Sequence, residues 1–187
     1  MLNIEELVIE SQRLIIRPFE KDDFVAWDHG YQNRLPSQYK YDDGFDDDSS
    51  AFTKKWYEEL IQDFNETAKK DESYVFGIFR KEDGACIGEL ELITILRTDY
   101  NWGMMGYSIH NQYFRQGYGK ESAIAAADFF FYHLQFHRIE LQINVDNEPS
   151  IKLAESAGFH YECTRKAFFY EDGKWIDNLI YYKNRQH

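Results

Sequence analysis

The sequence predicts a mixed α/β fold: one mostly antiparallel sheet with helices on both of its faces. Three observations carry this. Strand-like and helix-like stretches alternate as β-α-α-β-β-β-α-β-α-β-β, an order that needs helices over two sides of a sheet. Two glycine-bearing turns, Lys81-Glu82-Asp83-Gly84 and Glu171-Asp172-Gly173-Lys174, join strand patterns that fold back on themselves. Ile124, Ala127, Phe131 and Leu134 recur at helical spacing, as one buried helix face requires.

The elements follow in chain order. Arg13 to Phe19 reads as a short strand ended by Pro18, and Asp22 or Asp23 can cap the helix that follows to about Gln32. Tyr39 to Asp48 is polar and acidic, with Asp42, Asp43, Asp46, Asp47 and Asp48; it reads as a solvated loop or as a lip that steers an amine. A second helix spans about Ser50 to Ala68, with Phe52, Trp56, Leu60 and Phe64 as its stripe and Tyr57 and Ile61 widening it. Tyr74 to Arg80 and Ala85 to Leu96 form a hairpin, and Gly103 to His110 is the next strand, where Gly106 allows a bulge. Arg138 to Val145 places Ile139, Leu141, Ile143 and Val145 on one face. Asn147 caps a short helix, Pro149 fits its first turn and Gly158 closes it. Strands Phe159 to Tyr170 and Trp175 to Lys183 end the chain. No repeat or linker interrupts residues 1–187, so one domain is expected.

Composition narrows the function. Aromatic residues are 18% of the 187, enough for a large core although 29% are charged. A net charge of -12 disfavours a nucleic-acid or anionic-membrane partner and suits a cationic substrate. Cys86 and Cys163 have neither metal nor disulfide spacing, so no metal is expected and a reduced, cytoplasmic setting is. Met1 to Glu10 carries Glu5, Glu6 and Glu10, unlike a signal peptide. No apolar run approaches the roughly 20 residues that span a bilayer.

The stretch Gly106 to Asp128 organises the chemistry. Gly117 and Gly119 sit where a turn becomes a helix. The first helical amides lack intrahelical partners and the dipole there is positive, so the backbone can seat a phosphate or pyrophosphate. An ordinary strand-to-helix turn is the alternative. Lys120 is followed by Glu121, which excludes the phosphate loop ending in Gly-Lys-Ser/Thr. Ser122 stands where a dinucleotide fingerprint has its third glycine. Glu89 and Glu91 lie two apart on one strand and share a face with Ile87 and Ile93, either lining a wet cleft or simply exposed. Glu91 could take a proton through a water. No Ser-His-Asp or Cys-His arrangement is visible.

Tyr113-Phe114-Arg115-Gln116-Gly117-Tyr118-Gly119-Lys120-Glu121-Ser122 resembles the acetyl-CoA pyrophosphate loop of the GNAT N-acetyltransferases, in the branch of the RimJ/RimL ribosomal-protein N-terminal acetyltransferases. Gly106-Tyr107, Asn147-Glu148-Pro149-Ser150, Gly158-Phe159 and Arg13-Leu14-Ile15-Ile16-Arg17-Pro18 extend the likeness over about residues 10 to 185. Phe114 stands where many members have Gln or Arg, an aromatic place in the RimJ/RimL branch. The resemblance implies the GNAT fold and backbone contacts to acetyl-CoA from Phe114, Arg115, Gln116, Gly117, Tyr118, Gly119 and Lys120. Tyr107, Ser108 and Ile109 would bond the pantetheine arm, and an amide near Met105 to Tyr107 would hold the oxyanion. Asn147 would bond the pantetheine or orient the loop, or act as a plain N-cap. Ser150, matching a serine of the branch, would protonate the departing thiolate, or merely cap its helix. Many relatives place a tyrosine where Ala154 stands. Glu89 and Glu91 are the candidate bases. The implied activity is acetylation by direct attack of a primary amine, first a protein or peptide N-terminal amine. The alternatives are a polyamine or other small cationic amine, and a non-catalytic acyl-CoA-binding module. A monomer or homodimer is expected.

Overall fold

The computed structural model describes residues 4–45 and 52–186. Its sheet contains β1 (Ile9–Glu10), β2 (Leu14–Arg17), β3 (Ser73–Arg80), β4 (Cys86–Leu96), β5 (Trp102–Ile109), β6 (Arg138–Asn144), β7 (His160–Glu171) and β8 (Lys174–Asn184). The spatial order is β1-β2-β3-β4-β5-β6-β8-β7. Every neighbouring pair is antiparallel except β5 with β6. The helices are α1 (Phe24–Gln32), α2 (Lys54–Lys69), α3 (Tyr118–Tyr132) and α4 (Glu148–Ser156). The expected architecture is present, with each long element within a few residues of its expected bounds. The addition is β1, whose two residues pair with Ile15 and Ile16 and are too few to show a period.

Side-chain alternation divides the core. Tyr74, Phe76 and Ile78 of β3 face α3 and α4, together with Leu90, Leu92, Ile139, Leu141 and Ile143. Val75 and Phe79 face the other way, into an aromatic cluster with Trp27 of α1 and Tyr57 of α2. Trp27 and Tyr57 rings lie 5.0 Å apart, and Phe19 meets Phe79 edge-on at 6.0 Å.

Several sequence expectations change. Helix α2 begins at Lys54, where Trp56 N–H donates to the Thr53 cap; Ser50, like Asp46 to Asp48, lies outside the described residues. Its buried residues are Tyr57, Ile61 and Ala68; of the expected stripe Phe52 and Phe64 pack half-buried against the same cluster, while Trp56 is exposed. Helix α3 buries more than one stripe, including Ala123, Ala126, Phe129 and Phe130, while Ile124 is only half-buried. It packs both on the sheet and against α4, so two sides are covered. Val145 lies past β6 and is exposed. Neither Asp22 nor Asp23 caps α1 with its side chain. Asp23 instead takes a bidentate bond from Arg17 at 2.7 Å and the Glu20 N–H at 2.8 Å.

The bulge expected at Gly106 is absent, since Leu90, Glu91 and Leu92 pair in register with Tyr107, Gly106 and Met105. The irregularity lies on β4, where Ile78 pairs with Gly88 but Phe79 pairs with Cys86. Ile87 is the extra residue. It therefore packs with Leu90 and Leu92 and does not share the face of Glu89 and Glu91.

Tyr57 is 1% exposed and Trp56 40%. Tyr57→Ala should cost about 3–5 kcal/mol of unfolding free energy in urea titration, and Trp56→Ala clearly less. The reverse ranking would contradict this packing.

Candidate active site

Strands β5 and β6 pair only at Trp102–Met104 with Arg138–Glu140. Beyond that they part. Backbone groups of Met105 to Ile109 that point away from β4 face the gap, free to bond an extended ligand. Helix α3 leads from β5 to β6, and its N-terminus closes one end of the gap. Gly117 is its N-cap in the left-handed region, φ 84°, a conformation glycine adopts at no steric cost. Gly119 has a packing reason: an added Cβ would come 2.6 Å from Leu153 Cδ1 of α4.

The loop is pinned from behind. Arg13 donates from Nη1 to the Gln116 carbonyl at 3.0 Å and from Nε to Glu121 at 2.7 Å. Its guanidinium lies 4.4 Å from the Tyr118 ring centroid. Glu121 also accepts from Ser11 Oγ and Arg13 N–H, at 2.7 and 2.8 Å. Burial pulls its carboxyl upward, but the bonds from Ser11 and Arg13 outweigh that and hold it below the usual range.

These elements enclose a cleft of about 780 Å³. Tyr107, Ser108, Ile109, Phe114, Arg115, Gly117, Tyr118, Gly119, Lys120, Asn147 and Ser150 all line it. Gln116 does not; its carbonyl is spent on Arg13. Arg34 and Lys152, given no role by the sequence reading, add positive charge to the same walls, so the residues present suit a pyrophosphate-bearing ligand. On α4, Asn147 Oδ1 accepts from Ser150 N–H at 3.3 Å as an N-cap. Ser150 Oγ meets Tyr107 Oη at 3.2 Å. Ala154 is buried in the core; the phenol near this wall comes from Tyr107 instead.

Glu89 and Glu91 do not line this cleft. They stand on the sheet face turned away from the core under α3 and α4, in register with Ser108 and Gly106. Beside Gly106 there is open space, with nothing within 4 Å of an added Cβ. Both carboxyls are raised above the usual range. Burial is the cause for Glu91, and burial, then Glu91 and Asp43, for Glu89, with Arg34 opposing. Raised carboxyls are better placed as bases near neutral pH.

The acidic loop is more structural than its composition implied. Asp42 is 8% exposed and accepts from Gln38 N–H, Gly44 N–H and Asn111 Nδ2 at 2.7, 3.1 and 3.1 Å. Asp43 is exposed. Across the cleft mouth, Lys40 and the Tyr41 hydroxyl both donate to Asp146. His110, 6% exposed, is pushed down to about 4 by burial and Arg34, against the Cys86 backbone, and so is neutral. Among the described residues no group of three His, Cys, Asp or Glu side chains is placed to hold a metal, and no helix is long and apolar enough to cross a membrane.

Glu121 gives a signed pH test. Its folded pKa is depressed, so its contribution is complete above the unfolded value of about 4.3 and is lost as pH falls through the lower folded value. Glu121→Gln should be less stable than wild type by about 1 kcal/mol at neutral pH, with the gap closing below about pH 4. A gap in urea unfolding that persists in acid would contradict the pinning.

The family profile described as "Acetyltransferase (GNAT) domain" matches residues 13–160. YjcK of Bacillus subtilis (strain 168), named a probable N-acetyltransferase, is 27% identical over 178 residues, covering 92% of this chain and 94% of its own. The [ribosomal protein uS5]-alanine N-acetyltransferase of Escherichia coli (strain K12) is 25% identical over 179 residues, covering 95% and 91%. The crystal structure of ribosomal-protein-S5-alanine acetyltransferase from Vibrio fischeri superposes with a TM-score of 0.75 at 21% identity, covering 95% of this chain and 96% of that one, and shares the fold. The chain belongs to the GNAT acetyltransferase family, an enzyme family whose acetyl donor is acetyl-CoA.

Proposed function

We propose that this N-acetyltransferase acetylates the α-amine of a protein or peptide N-terminus. The observation that carries the reading is the pair of raised carboxyls, Glu89 and Glu91, beside the open position at Gly106. A peptide α-amine has a reference pKa of about 7.7–8.0, so a weak base suffices to free it; a polyamine amine near 10.4 asks for more. The E. coli relative named for the uS5 alanine supports the same acceptor class.

The residues take these parts. The amides of residues 115 to 120 and the α3 N-terminus hold the pyrophosphate. Tyr107, Ser108 and Ile109 offer backbone bonds to the pantetheine arm. Acetyl-CoA, when bound, supplies an activated acetyl thioester. A backbone amide near Met105 to Tyr107 donates to the carbonyl oxygen as negative charge develops on it. The acceptor reaches the thioester from the Glu89–Glu91 face, past Gly106. Glu91 takes the ammonium proton through a water. Ser150 Oγ–H gives its proton to the leaving sulfur, and solvent returns one to Oγ. No protein nucleophile is needed, because the amine attacks directly.

The test is thiol release with a free-amine peptide, its Nα-blocked form and spermidine, using wild type and Glu91→Gln. The free-amine peptide alone should turn over well. Glu91→Gln should lose about 10²–10⁴-fold below the amine pKa and recover partly above about pH 8, where free amine is abundant. A preference for spermidine would overturn the acceptor; a loss independent of pH would remove Glu91 as the base.

A further inference from the structure

The two walls of the cleft meet at a pair of hydroxyls. Tyr107 comes from β5 and Ser150 from the first turn of α4, and their hydroxyl oxygens lie 3.2 Å apart; the Ser150 carbonyl is the other acceptor in reach of the Tyr107 hydroxyl, at a longer 3.4 Å. Both residues line the cleft. One hydrogen serves the bond between the two oxygens, and either could provide it. A phenol is a stronger acid than an aliphatic alcohol, so Tyr107 is the better donor. With Tyr107 Oη–H donating to Ser150 Oγ, the serine's own hydrogen is left to point elsewhere. Without that donor, the Ser150 hydroxyl can turn and bond the backbone of its own helix, as serines in a first turn do.

We propose that Tyr107 is a positioning residue, whose hydroxyl holds Ser150 Oγ as an acceptor so that the serine hydrogen faces the sulfur of the acetyl donor. The inference rests on Ser150 as proton donor. No bond breaks at Tyr107. Burial keeps its phenol protonated, pushed up to about 12 although the Ser150 contact pulls the other way, so it remains a donor across the working pH range. It is not the source of the proton, because its one hydrogen is committed to Ser150 Oγ.

Tyr107→Phe keeps the ring and removes one oxygen. The experiment compares it with Ser150→Ala and with the double variant, by steady-state kinetics, by melting temperature and by titrating the ultraviolet absorbance of the thiolate in bound CoA. Tyr107→Phe should lower kcat about three- to tenfold, the worth of one neutral hydrogen bond, with KM for acetyl-CoA unchanged. Added to Ser150→Ala it should cost nothing more. The bound thiol should titrate higher by about half to one pH unit in each variant, with melting temperatures within about 3 °C of wild type. Suppose Ser150→Ala is slow but Tyr107→Phe keeps the wild-type kcat and thiol titration. The positioning role is then overturned and Ser150 stands. Should Ser150→Ala lose nothing, the proton-donor reading falls and takes the pair with it. Additive losses, or a thiol titration unmoved by Tyr107→Phe, would mean that Tyr107 acts apart from Ser150, and would overturn the proposal.

Discussion

The parting of β5 and β6 is the constraint on which the rest of the site depends. A parallel pair needs a long crossover, here α3, and the two strands stay bonded only from Trp102 to Met104. A sheet that opens in its middle exposes backbone groups that cost free energy unless something bonds them. The gap is wedged by packing. Leu153 of α4 fills the place where Gly119 of α3 has no side chain, and Arg13 ties the loop at Gln116 and Glu121 back to the strand side. The opening is thus held by contacts formed before any ligand arrives, and binding need not supply the free energy of opening it.

Charge is distributed unevenly around the cleft. The chain carries a net charge of -12, yet Arg34, Arg115, Lys120 and Lys152 gather on the walls of the cleft. Glu89 and Glu91 stand outside those walls, and Arg34 alone of these cations opposes the rise of the Glu89 carboxyl. The cations favour an anionic donor and the carboxyls a cationic acceptor, and beside Gly106 there is open space. Both carboxyls are raised for the same physical reason, loss of water around the charged form.

How much the sequence discloses follows the reach of each interaction. Asn147, Pro149 and Gly158 bound α4 by contacts within a few residues, and α4 lies where they place it. Gly117 marks the start of α3 because its left-handed backbone is a local demand. On α2 the four-residue spacing of Phe52, Trp56, Leu60 and Phe64 cannot say which of two adjacent helical faces is deepest, and Tyr57 and Ile61 are the ones buried. The bulge that turns Ile87 away from Glu89 depends on register with β3 and leaves no local mark. Arg13 reaches Glu121 across 108 positions and Tyr107 reaches Ser150 across 43, so neither contact is visible in a pattern of neighbours. The sequence places the loop, the cap and the serine; the fold alone shows what holds them.

The central claim is that the parted stretch of β5 and the start of α3 are where acetyl-CoA binds. Amide hydrogen exchange with and without CoA tests it most directly, since it reads backbone protection residue by residue. Added CoA should slow exchange at residues 105 to 109 and 115 to 120, with little change along β7 and β8. Unchanged exchange in those two segments at saturating CoA, or protection confined to another part of the sheet, would contradict it.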